Sequence, residues 1–171
     1  MAIRTILHYP DPRLRQKANP VGEVTLAIRR LIDDLAETMY AAPGVGLAAP
    51  QIGEPHRIFV VDAASEDEPS DLRAFVNPEI LVREGEQSYR EGCLSFPGVA
   101  EEITRAARVT VRALDAEGRP FELSAEGLLA VAIQHETDHL DGVLMIDKLG
   151  MLKRRVVHRE MLKLKREAED G

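Results

Sequence analysis

Gln134-His135-Glu136-Thr137-Asp138-His139-Leu140 carries an H-E-x-x-H pentad within a segment of helical periodicity. A helix advances about 100° per residue, so His135 and His139 lie about 40° apart on one face, where both imidazoles can reach one metal ion. Glu136 stands beside them. Two histidines so spaced supply neutral nitrogen ligands, and the carboxylate between them can take a proton from water instead of binding the metal itself. That combination suits hydrolysis, although two histidines on a helix can also be no more than a polar edge.

The periodicity predicts a helix from a Ser124 cap, with Glu126 at its second position favourable to the dipole, to about Asp141, where Gly142 ends it. Leu128, Val131 and Ala132 share the face of His135 one and two turns earlier. Such an apolar slope is ordinarily core. It can equally form one wall of a pocket for an unbranched apolar side chain.

Cys93 is the one cysteine, which excludes an internal disulfide and fits a reducing compartment. It lies in Glu91-Gly92-Cys93-Leu94-Ser95, ahead of a Pro97-Gly98 turn. A lone cysteine is more often a small buried hydrophobe than a ligand. Here a catalytic metal on two helical histidines lacks one protein ligand, and a thiolate completes three while leaving a position open for water.

A third unusual stretch is Gly44-Val45-Gly46-Leu47-Ala48-Ala49-Pro50-Gln51-Ile52-Gly53. Its small residues let the backbone pass close to a ligand or another element, and Gln51 offers both a donor and an acceptor there. Neither the P-loop ending nor the dinucleotide glycine spacing is present, which disfavours a phosphate loop.

With 44% hydrophobic and 30% charged residues among 171 and no break in composition, one domain over residues 1–171 is expected. No apolar run is long enough to cross a bilayer, and Met1 to Leu7 lack the core of a secretory signal. A cytoplasmic protein with no membrane and no DNA partner is expected. The net charge is −7, yet between Lys148 and Arg166 eight Lys and Arg face one acid, Glu160.

Elsewhere, Ile3 to Tyr9 look extended, and Thr25 to Ala41 carry Ile28, Leu31, Ile32, Leu35 and Met39 at helical spacing, a packing helix stopped by Pro43. Strands are expected at Arg57–Val61, Arg73–Val76, Ile80–Glu84 and Gln87–Tyr89, with Asn77-Pro78 and Gly85 as punctuation. Val109–Leu114 and Phe121–Leu123 read as a hairpin about Asp115-Ala116-Glu117-Gly118. From Met151 to about Ala168 runs an amphipathic helix whose basic face is either simply solvated or a contact for RNA.

Gly44 to Gln51, Glu91 to Ser95 and Gln134 to Leu140 together resemble the three signature motifs of the peptide deformylase family, G-φ-G-φ-A-A-x-Q, E-G-C-φ-S and Q-H-E-φ-D-H with φ apolar, in the family's order. The likeness extends from Tyr9-Pro10-Asp11 through Arg112-Ala113-Leu114-Asp115 to the C-terminal helix, so it covers essentially the whole chain. It implies an enzyme that removes the formyl group from the N-terminal formyl-methionine of new polypeptides. It also implies an α+β fold in which antiparallel β-sheets surround a central metal-binding helix, with an N-terminal packing helix and a C-terminal amphipathic one. By motif position, Cys93, His135 and His139 would bind the metal, Glu136 would be the catalytic acid and base, and Gln51 with the Leu94 N–H would bind the developing oxyanion. For such a substrate, the close-packed backbone of Gly44, Val45 and Gly46 would admit formyl and exclude larger acyl groups, while the apolar slope of Leu128, Val131 and Ala132 would receive the methionine side chain.

Two positions depart from the family pattern: Thr137, where an apolar residue is usual, and Thr104, where proline commonly precedes the arginine matching Arg105. Thr137 lies about 200° around the helix from His135, so packing should feel it more than chemistry, and its hydroxyl can bond back to a carbonyl one turn earlier. Thr104 bears on any substrate-positioning role of Arg105. Two imidazoles and a thiolate suit zinc on affinity, whereas the resemblance implies ferrous iron, with nickel or cobalt as stable substitutes and zinc less active. Glu91, as an orienter of Gln51 or a loop support, and Asp138, as a partner behind the ligands or a surface charge, stay open.

Two other functions compete. In a zinc peptidase the longer motif fails at Met145, where a third histidine would stand, and leaves Glu160 as a formal ligand. In a non-enzymatic module the basic helix would bind ribosomal RNA around a structural metal, which normally takes four protein ligands. Ribosome contact through that helix is also compatible with catalysis.

Overall fold

Ile58-Phe59-Val60-Val61 is fully buried on both sides, which requires a strand covered above and below. The computed structural model, which describes residues 2–170, places it in β2 (Ile58–Asp62) of a five-stranded antiparallel sheet. The sheet order is β1-β2-β3-β6-β7, with β1 at Gly46–Ala48, β3 at Leu72–Glu84, β6 at Arg108–Leu114 and β7 at Pro120–Glu126. A separate hairpin pairs β4 (Gln87–Gly92) with β5 (Ala100–Arg105).

Alternate residues of β2 serve different cores. Ile58 and Val60 join Leu31, Ile32, Leu35 and Met39 of α1 (Leu26–Ala41), while Phe59 and Val61 join Ala130, Ile133 and Leu140 of α2 (Gly127–Leu140). The sheet is therefore clad by one helix on each face, and α2 is buried almost all round, from Ala130 to Thr137 without a break. Buried polar groups on such a helix must be paired or must face a site. Thr25 caps α1, its hydroxyl accepting from the Ile28 N–H at 3.3 Å. A third cluster seats Val157 and Met161 of α3 (Met151–Asp170) on Leu14, Phe96 and Leu144–Ile146. The expected fold is the observed one. Among the described residues no helix is long and apolar enough to cross a membrane.

Local expectations fail in three places. Ser124 does not cap α2: it lies within β7 opposite Thr110, and the chain turns into the helix at Gly127, whose φ of +63° suits glycine. The ladder to β6, continued to Arg108 opposite Glu126, prevails over the local capping signal. Asn77-Pro78 does not end a strand either. β3 runs through it for 13 residues with a register shift between Val76 and Glu79, and the Asn77 side chain bonds both N–H and C=O of Val21 at 2.8 Å. Ile3 to Tyr9 runs without helix or sheet pairing, bonding through its Leu7 and Tyr9 N–H groups to the Gln51 and Ser95 carbonyls. Strands β1 and β5 carry no strand signal in the sequence, one being short and rich in small residues and the other charged.

Candidate active site

Helix α2 carries His135 and His139 with ring centroids 5.1 Å apart. Cys93 comes from the turn that leaves β4, and its Sγ lies 3.4 Å from His139 Nε2. One ligand atom from each of Cys93, His135 and His139 falls within 4.8 Å of the others. Two elements distant in the chain, the turn after β4 and helix α2, thus bring a thiol and two imidazoles to one point.

The chain also holds these side chains from behind. His135 Nδ1 is 2.9 Å from Glu91 Oε1, so the ring proton sits on Nδ1 and the lone pair is left on Nε2. Arg105 grips both oxygens of Glu91, at 2.6 and 3.0 Å, and reaches Asp138 Oδ2 at 2.9 Å. Glu91 therefore orients a histidine and not Gln51. Arg105 is buried in this network, outside the cavity lining, and Asp138 completes it from the next turn of α2. Behind them, Thr137 donates to the Ile133 carbonyl at 2.7 Å, the back-bond expected for it.

Gln51 lies in the 3-10 turn Ala49–Ile52 that follows β1. Its Oε1 accepts from the Ala48 N–H at 2.9 Å, and its Nε2 donates to Ser95 Oγ at 3.0 Å. Ser95 stands in the quoted E-G-C-φ-S stretch, yet no pattern in the sequence ties it to Gln51. Glu160 is exposed on α3, outside the group of candidate ligands.

A cavity of about 690 Å³ opens onto this point. Gln51, Cys93, Leu94, His135 and Glu136 line it, as do Gly44, Val45 and Gly46 and also Leu128, Val131 and Ala132. Of the metal, catalytic and pocket residues expected from the three motifs and the apolar slope, only His139 is not in its wall. Ile6, His8, Tyr89, Phe96 and Val99 also line it; none of them belongs to the three signature motifs. The glycines are there for closeness: a Cβ on Gly46 would come 2.6 Å from Glu136 Oε2, and one on Gly44 2.7 Å from the Leu94 side chain.

Burial pushes the Glu136 carboxyl up to about 7, against the opposing positive charges of His135 and Arg105. Burial alone would lower His135, but the Glu136 charge and the contacts with Cys93 and Glu91 outweigh it and hold that imidazole well above its ordinary value. His139 is held well below, by burial first and then by the charges of His135 and Arg105. Among the described residues Glu136 Oε1 is buried without a hydrogen-bond partner. Two imidazoles, a thiol and a spare carboxylate oxygen fit a transition-metal ion with one position left for a reacting group.

The family model for polypeptide deformylase matches residues 3–155. The chain is 55% identical over 167 residues to the peptide deformylase of Alkalilimnicola ehrlichii, covering 98% of this chain and 93% of that one. Among solved structures, it is similar to a peptide deformylase from Legionella pneumophila, with a TM-score of 0.92, 47% identity and 99% of each chain covered. The peptide deformylase of Ehrlichia chaffeensis in complex with actinonin gives a TM-score of 0.93 at 36% identity, covering 97% of this chain and 99% of that one.

Proposed function

The chain belongs to the peptide deformylase family, metal-dependent hydrolases that remove the N-terminal formyl group from nascent polypeptides, and we propose that its metal is ferrous iron held by Cys93, His135 and His139. Water and the formyl-methionine amide give formate and a free amino terminus. The observation that carries the site assignment is the meeting of three ligand atoms within 4.8 Å at the wall of the cavity that also receives Glu136 and Gln51.

When bound, the metal makes water more acidic and the formyl carbonyl more electrophilic. Glu136 accepts the proton of the attacking water and returns it to the departing amine, a task suited to a carboxyl whose surroundings hold it near 7. Gln51 Nε2 and the Leu94 N–H donate to the carbonyl oxygen as it gains charge, stabilising the transition state more than the ground state. Leu128, Val131 and Ala132 receive the methionine side chain. The close backbone at Gly44 to Gly46 leaves room for formyl and excludes larger acyl groups. The whole chain acts as one catalytic domain in the cytoplasm.

The test is formate release from formyl-Met-Ala-Ser by protein purified anaerobically with Fe(II), beside Glu136→Gln at equal metal content. Release by the wild type alone is the expected result; release by both variants would remove Glu136 from its role. Nickel or cobalt enzyme is expected to keep its activity in air, and zinc enzyme to be slower. Acetyl-Met-Ala-Ser should not turn over.

The basic face of α3, with exposed Leu152 and Val156 beside it, is the surface we assign to ribosome contact. Arg155→Glu combined with Arg159→Glu is expected to abolish co-sedimentation with ribosomes. Unchanged sedimentation would place the contact elsewhere or nowhere.

A further inference from the structure

Ser95 stands two residues beyond Cys93 and is fully buried. Its hydroxyl oxygen accepts from Gln51 Nε2 at 3.0 Å, while the Ala48 N–H donates to Gln51 Oε1 at 2.9 Å. A backbone N–H can only donate, so the amide oxygen faces Ala48 and its nitrogen faces Ser95 and Cys93; the reverse orientation would set two donors against each other. One Nε2 hydrogen is spent on Ser95. The other is left on the side of Cys93, whose Sγ is 3.6 Å from that nitrogen.

The backbones under these side chains are tied to a common strut. Leu7 N–H donates to the Gln51 carbonyl at 2.7 Å, and Tyr9 N–H donates to the Ser95 carbonyl at 2.9 Å. The N-terminal segment, without chemistry of its own, thereby fixes the spacing between the turn that carries Gln51 and the turn that carries Cys93, Leu94 and Ser95. With Ala48 alone the amide would be held at its oxygen and free to swing about it. The bond to Ser95 fixes its plane.

We infer that Ser95 is a positioning residue for Gln51, holding the amide so that its second hydrogen meets the oxygen that gains charge. The inference rests on Gln51 being an oxyanion donor, as proposed above. Preorganised donors act because they do not reorient during reaction, so a loosened amide should lower kcat and leave KM nearly unchanged.

The experiment is steady-state deformylation of formyl-Met-Ala-Ser by wild type, Ser95→Ala, Gln51→Ala, the double variant and Ser95→Thr, at equal metal content. Gln51→Ala is expected to lose about a hundredfold in kcat, and Ser95→Ala about tenfold with KM within about twofold. The double variant should match Gln51→Ala, because a positioning residue has nothing left to position, and Ser95→Thr, which keeps the oxygen, should recover most of the loss. If Ser95→Ala slows the Gln51→Ala enzyme tenfold again, Ser95 acts on something else and the inference is overturned. It is also overturned if Ser95→Ala keeps the wild-type kcat while Gln51→Ala is slow, or if Ser95→Thr is as slow as Ser95→Ala. Wild-type kcat in Gln51→Ala would instead overturn the oxyanion role of Gln51, and this inference with it.

Discussion

His135 Nδ1 and Glu91 Oε1 are 2.9 Å apart although 44 residues separate them, and the Arg105 guanidinium closes on the same carboxylate from its other side. Removing the acceptor frees the imidazole to change tautomer. Glu91→Ala is therefore expected to weaken metal binding by about 10- to 100-fold, read by competition with a coloured chelator. Wild-type affinity would mean that packing alone orients the ring.

Arg105→Ala should act on stability more than on binding. It strands Glu91, only 4% exposed, without its counter-charge. Loss of one partner of a buried pair costs about 3–5 kcal/mol, measurable as a fall in the urea midpoint. Arg105→Lys, with one point charge in place of a fork, should recover part of it.

Gly46→Ala tests the close approach of backbone to catalytic carboxylate. The new methyl would stand 2.6 Å from Glu136 Oε2, so the carboxylate must move. A displacement of that kind costs about a hundredfold in turnover. Metal content should hold, since no ligand is touched; a variant with wild-type formate release would show that the carboxylate has room to spare.

Tyr40 donates to Asp62 Oδ2 at 2.6 Å, and burial, then this bond, pushes its phenol up to about 12. A phenol raised in the folded state stabilises fully below its ordinary value near 10, and that contribution disappears as pH rises toward 12. The unfolding free energy of Tyr40→Phe should therefore fall less steeply than that of wild type between pH 9 and 11. Parallel curves would show that the contact does not outlast the fluctuations of an exposed side chain.

Gly142 ends α2 with φ +74°, and a Cβ there would run into the Arg15 carbonyl. Gly142→Ala combines left-handed strain with a backbone clash. A loss of about 1–3 kcal/mol is expected from thermal unfolding.

Residues close in sequence announced themselves. His135 and His139 share a helix face by spacing alone, Gly142 marked the helix end, and the apolar stripe of α1 follows from its 3.6-residue period. Where two local signals competed, the sheet decided: Ser124 is a good cap, but its ladder partner on β6 outweighs it. The bulge at Asn77 depends on Val21, 56 residues away, and no local pattern announces such a partner.

The chemistry available is therefore written in the chain: a thiol, two imidazoles one helical turn apart, a carboxylate between them and an amide in a small-residue run. Residue type and short-range periodicity are properties of the chain, and they suffice for that. Which group serves which is set by the packing of distant elements. Glu91 turned to His135, Arg105 and Asp138 were drawn inward as a buried lock, and Ser95 met Gln51 across 44 residues. Those pairings arise because burying a polar group leaves it no water to bond, so each must find whatever partner the packed elements bring within reach.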